Sequence, residues 1–105
     1  MPLTHSYQRS QLHSERSKLT IPGGVNSNVR LISEPCPLTI TRGEGSHIWD
    51  VDNNQYLDFA MGMGPHILGH APKAVISAVR KSLDDGQLFA GQNLYEVELA
   101  ELFVS

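Results

Sequence analysis

Only three stretches of this chain alternate as strands do, and they lie close together: residues 38–42, 47–50 and 56–59. Gly-Glu-Gly separates the first two and Asp-Asn-Asn the last two. Asp52, Asn53 and Asn54 suit the second turn, because aspartate and asparagine tolerate positive φ and can bond their own backbone. The pattern predicts a small antiparallel meander. Three strands are too few to close a sheet, and there is no internal repeat that would stack instead.

Helices flank the meander. Residues 6–18 have the composition of a polar helix, stopped by Ile-Pro-Gly-Gly at 21–24. Residues 25–37 form a loop whose prolines and asparagines, behind the paired glycines, predict special dihedrals rather than a slack linker. Pro72 suits a first helical turn; Val75, Ile76, Val79 and Leu83 follow at helical spacing, and Gly86 is the stop. A last helix begins at Leu94, with Asn93 as N-cap and Glu96 completing a capping box. Val97, Ala100 and Val104 line one face of it, beside Leu99 and Phe103. Its pattern still runs at Ser105 without a C-cap glycine, a cationic last turn or a proline, which predicts an amino-terminal piece of a larger fold. The chain is therefore read as α+β, with a polar arm over 1–20 and the meander with its helices over 21–105. At 105 residues, one small domain is expected to bury roughly two thirds of its unfolded surface.

Charge narrows the function. Eight basic residues against eleven acidic ones give a net charge of −3, with no basic run to bind nucleic acid or an anionic membrane. No apolar stretch has the length of a signal-peptide core or a membrane span, so a soluble protein is expected. Cys36, the single cysteine, sits between prolines and reads as a packing residue. One cysteine fits a cytoplasmic setting, or an organellar matrix, since Arg9, Arg16 and several serines faintly resemble a transit peptide that Glu15 argues against.

Metal chemistry fits poorly. Asp50, Asp52 and Asn54 match the first ligand positions of a calcium loop, but Gln55 replaces its obligatory glycine and Met61 its bidentate glutamate. His66 and His70 stand four apart among helix-breaking glycines and a proline, and with His47 they read as locally bonded histidines. The glycines around Met63 do not make the strand, G-x-G-x-x-G, helix order of a nucleotide loop; they let the backbone pass close to something, a ligand or a packed helix. Arg30, behind paired glycines, could present its planar fork to a carboxylate, although a surface or ion-paired arginine is the commoner case.

Four segments in order, PGGVNSNVR, PLTITRGEGSHIWDVDNNQYLDF, GPHILGHAPKAVISAV and GQNLYEVELAELF, together resemble the amino-terminal region of the class III aminotransferases, nearest to the glutamate-1-semialdehyde 2,1-aminomutase branch. The resemblance covers nearly everything from Ile21 onward. It implies the amino-terminal segment of a fold-type-I pyridoxal-phosphate enzyme without its large central-sheet domain. It also implies pyridoxal 5'-phosphate as cofactor, a small amino-acid or amino-ketone substrate, a homodimer, and Ser27 and Arg30 as holders of the substrate carboxylate. The glycine stretch would border the substrate pocket. Met63 stands there in place of the branch's usual tryptophan, Asn28 in place of a proline, and Gly-Gln-Asn at 91–93 in place of a Gly-Ala-Pro-Thr-like run. Related β-amino acid transaminases share the Leu-Thr-Ile-x-Arg-Gly-Glu-Gly strand and a Gly-x-Asn loop, so a β- or ω-amino acid transaminase is the second expectation. In the family the aldimine lysine, the pyridine-nitrogen carboxylate and the phosphate loop come later than this region. Lys18, Lys73 and Lys81 match none of them, and no catalytic residue is assigned here. The chain alone is expected to be inactive, and a non-catalytic dimerisation or decoy module is the competing expectation.

Overall fold

The computed structural model describes residues 5–105, so the first four residues of the polar arm lie outside the described residues. The chain divides into two units between Pro72 and Lys73.

In the first unit, helix α1 spans Gln8–Lys18, followed by two short 3-10 turns at Pro22–Gly24 and Asn28–Arg30. Strands β1 (Ile40–Glu44), β2 (His47–Asp50) and β3 (Gln55–Leu57) form one antiparallel sheet in the order β1-β2-β3. This is the expected meander, with shifted ends. β1 starts two residues late because Thr39 gives its N–H to Ser10 Oγ at 3.4 Å rather than to a ladder, while its carbonyl accepts from Val51 N at 2.8 Å. A bulge at Thr41 follows, and then Arg42 pairs with Trp49, its guanidinium 3.6 Å above the indole ring. β3 stops at Leu57 because Asp58 turns its carboxylate onto the backbone N–H groups of Ala60 and Met61.

The centre of this unit is polar. Asp50 is fully buried, and its carboxylate accepts from the N–H of Asp52 and of Asn54 (2.9 Å each), Asn54 Nδ2 (2.8 Å) and the Tyr56 hydroxyl (2.7 Å). Burial alone would raise such a carboxyl; the bonds from Asn54, Tyr56 and the backbone outweigh it and hold Asp50 below the usual carboxylate range. Burial and then the bond to Asp50 push the Tyr56 phenol up. Asn53 closes the turn at φ 66°, as expected of an asparagine. The same turn holds α1: Tyr7 provides no cap, and Asp52 instead accepts the N–H groups of Arg9 and Ser10 at 2.9 Å each. Cys36 is buried, its thiol pushed up by burial and then by Asp52 and Asp50, which keeps it an unreactive packing group.

In the second unit, α2 spans Lys73–Leu83 and α3 Leu94–Val104. Pro72 precedes α2 rather than entering its first turn, and Gly86, at φ 92°, receives the chain beyond its end. The capping box of α3 forms as expected: Tyr95 N donates to Asn93 Oδ1 at 2.9 Å and Asn93 N to Glu96 Oε1 at 3.0 Å.

The expected two-thirds burial is not reached. Among the described residues only Ser10, Cys36 and Asp50 are buried, and neither α2 nor α3 buries a residue. On α2 the intended core face is half-open, with Val79 49% exposed; on α3, Phe103 is 81% exposed. Apolar side chains surround most of α3 rather than one stripe, a pattern that belongs to helices covered on several sides.

Candidate functional site

The Pro22–Arg30 segment is shaped by its glycines. Gly23 and Gly24 adopt φ 70° and 74°, and a Cβ on Gly24 would stand 2.8 Å from the Lys18 side chain. This close return of the chain onto the end of α1 sets where the next residues go. Ser27 is extended and half-buried, and its carbonyl accepts from Arg30 N at 3.1 Å. Arg30 is exposed; its Nη1 donates to the side chain of Asn26, and among the described residues no carboxylate pairs with it. Arg30 lines a cavity of about 420 Å³ with Asn26, His13, Ser17 and Thr39. A guanidinium already oriented by a neutral amide, in an open cavity, retains N–H groups for a carboxylate.

Met63 belongs to a second loop. Four successive residues, Met61 to Gly64, have φ of 45°, 66°, 72° and 107°, a left-handed turn closed by Met63 N and Gly64 N donating to Ala60 O at 2.8 and 3.1 Å. Two methionines in this conformation cost about 1–2 kcal/mol each, and such strain persists only where surroundings enforce it. Met63 itself is 86% exposed. Neither Met63 nor Ser27 lines the Arg30 cavity, so the chain does not bring the three expected substrate residues into one pocket.

The enforcing contacts are groups that sequence reading left as unremarkable. Asp58 Oδ2 lies 2.6 Å from His70 Nε2, with His70 also paired to the β1–β2 turn through Gly45 (His70 N to Gly45 O 2.8 Å, Gly45 N to His70 O 3.0 Å). The bond from His70, ahead of those from the Met61 and Ala60 N–H groups, holds the Asp58 carboxyl below its usual range. Gly43 makes room for the ring: a Cβ there would stand 2.6 Å from His70 Cγ. Of the glycines around Met63, Gly69 makes the foreseen close approach, and it is to the chain's own hairpin: a Cβ there would stand 2.9 Å from Gly45 O. Local histidine bonding is met at His47, whose Nδ1 lies 3.3 Å from Ser46 Oγ, whereas His70 bonds across twelve residues and His66 stacks on it at 4.8 Å between ring centroids. The oxygens of Asp50 and Asp52, the calcium-like positions, are occupied by internal N–H and O–H donors.

Comparison with known proteins decides the family. The aminotransferase class-III family model matches residues 30–103, well over half of the chain. This chain belongs to the class III aminotransferase family. It is 42% identical over 101 residues to the glutamate-1-semialdehyde 2,1-aminomutase of Chloroflexus aggregans, covering 94% of this chain and 23% of that relative. It superposes on a β-phenylalanine aminotransferase from Variovorax paradoxus with TM-score 0.81 and 35% identity, over 90% of this chain and 22% of that one. A transaminase with pyridoxal phosphate bound gives TM-score 0.83 and 30% identity, over 91% and 22%. The class III chain thus spans about a quarter of the length of the relatives it matches, and its helices and meander correspond to the amino-terminal part of pyridoxal-phosphate-dependent transferases.

Members of the family use pyridoxal phosphate, and that group requires a lysine amine, a partner for its ring nitrogen and N–H donors for its phosphate. In this class III chain Lys18 is held by Glu15 at 2.7 Å on an exposed helix face, and Lys73 and Lys81 are exposed on α2. Among the first-turn N–H groups, those of Arg9 and Ser10 in α1 and of Tyr95 in α3 are already engaged by Asp52 and Asn93. The described residues by themselves do not fit the cofactor.

Proposed function

We propose that this chain supplies the carboxylate-holding side of the substrate site in a pyridoxal-phosphate-dependent enzyme of the glutamate-1-semialdehyde aminomutase type, the whole protein carrying out amino-group transfer. The observation that carries this reading is Arg30: an arginine in a preshaped loop, without a carboxylate partner among the described residues, lining an open cavity. Its planar fork can take the acid end of a substrate in two parallel bonds. Ser27 and Met63 lie outside the Arg30 cavity in this chain, and on this reading they meet the substrate only in the intact enzyme. The cofactor, when bound, supplies the amino-group chemistry; these three residues bind and orient, and none of them moves a proton. The chain alone is inactive on this reading, and the intact enzyme is a cytoplasmic homodimer.

A β-amino acid transaminase is the second reading. It is favoured by the 35% identity to the β-phenylalanine aminotransferase and by Met63, which differs from the aminomutase pattern.

Intact mass of the native product after borohydride reduction tests both. A product several times heavier than 11.6 kDa that carries one reduced pyridoxyl group is expected. A bare chain of 11.6 kDa would overturn the enzymatic reading and leave a non-catalytic module. Turnover of the intact protein with an amino-ketone acid against a β-amino acid then separates aminomutase from transaminase.

A further inference from the structure

Residues 60–69 leave the meander after Asp58 and return to it at His70, and one carboxylate meets both ends. Asp58 Oδ1 accepts from Ala60 N (2.8 Å) and Met61 N (3.0 Å), starting the left-handed turn, while Oδ2 holds the His70 ring at 2.6 Å. His70 is fixed from behind by its backbone pair with Gly45 and by the bare Cα of Gly43. Within the loop, by contrast, the bonds are short-range: Met63 N and Gly64 N to Ala60 O, His66 N to Met61 O and Gly69 N to His66 O. Its apolar side chains give it no core within this chain, since Met63 is 86% and Ile67 89% exposed. A loop that is strained at Met61 and Met63, and unsupported by packing, depends on the tie at its ends.

We propose that Asp58 and His70 are a clasp that holds the 60–69 loop in its left-handed form, and that breaking the clasp frees this loop as one unit while the meander stays folded. Both are positioning residues for Met63. Their bearing on catalysis rests on the reading of Met63 as a substrate contact; the clasp itself does not.

Amide hydrogen exchange on the full chain tests it without any substrate. His70→Ala should speed exchange at Met63, Gly64 and His66 about tenfold or more and leave Ile48 and Trp49 unchanged. His70→Gln, whose amide nitrogen can still donate to Asp58, should restore most of the protection. Equal acceleration in strand β2, or no acceleration in the loop, would overturn the clasp. Should the variant fail to fold, native-state exchange of the wild type in rising sub-denaturing urea serves instead. Loop amides sharing one opening with little urea dependence support the proposal, and loop amides that open only with the meander overturn it.

Discussion

Asp52 caps a helix that begins more than forty residues earlier: its two carboxylate oxygens accept the backbone N–H groups of Arg9 and Ser10, each at 2.9 Å. The turn between β2 and β3 and the start of α1 are thereby one structural unit, joined further by the Asn54 side chain on Ser6 O at 2.6 Å. α1 leads directly into the loop that carries Ser27 and Arg30, so the meander turn also fixes where the candidate carboxylate site starts.

Asp52→Ala should therefore loosen α1 rather than the sheet. Exchange of the Arg9 and Ser10 amides is expected to rise about five- to tenfold, the usual consequence of losing a helix cap, with the β2 amides unchanged. Asp52→Asn, which keeps one acceptor, should show a smaller rise.

The Asp50 hub is the stability centre of the first unit. Tyr56→Phe removes one of its four bonds and is expected to cost about 1–2 kcal/mol. Asp50→Ala leaves several donors without an acceptor and should cost about 3 kcal/mol or more. Urea titration followed by Trp49 fluorescence measures both.

Acid should unfold this unit earlier than its composition implies. Asp50, Asp52 and Asp58 all have carboxyls held below their usual range in the folded chain. A depressed folded value stabilises above the unfolded value, and that stability is lost as pH falls through the folded one. Stability should be level from neutrality to about pH 5 and then decline into the acid range. Asp50→Asn should flatten part of the decline, read by Trp49 fluorescence against pH. Tyr56 has the opposite sign: its raised phenol stabilises below the unfolded value, and the gain is lost as pH climbs through the alkaline range.

Arg30 offers a kinetic test in the intact enzyme. Arg30→Ala should raise KM for an acid substrate roughly tenfold to a hundredfold, with a smaller change in kcat, as expected for a charged bond that holds substrate and transition state alike. Arg30→Lys should recover only part, because an ammonium lacks the paired donors. An unchanged KM would remove Arg30 from the site.

Signals that act within a few residues were legible in advance. The capping box of Asn93 and Glu96, the Asn53 turn, the Gly86 stop and the alternation that makes the meander each involve neighbours along the chain, and each formed. The family, too, was legible, because four short segments in order identify it. The burial expectation failed for a reason the sequence also contained: α3 is apolar around most of its surface, and the first unit is built around a carboxylate rather than a packed apolar face.

Sequence alone determined which elements form, where they turn, and to which family they belong, since these depend on local dihedral preference, side-chain period and motif order. Only the tertiary structure decided that Asp52 caps α1, that Asp58 grips His70 across twelve residues, that Gly43 is needed for the His70 ring, and that Arg30 lines a cavity which Met63 does not share. These are contacts between groups distant in sequence, whose pairing depends on a register and a chain path that no local pattern encodes.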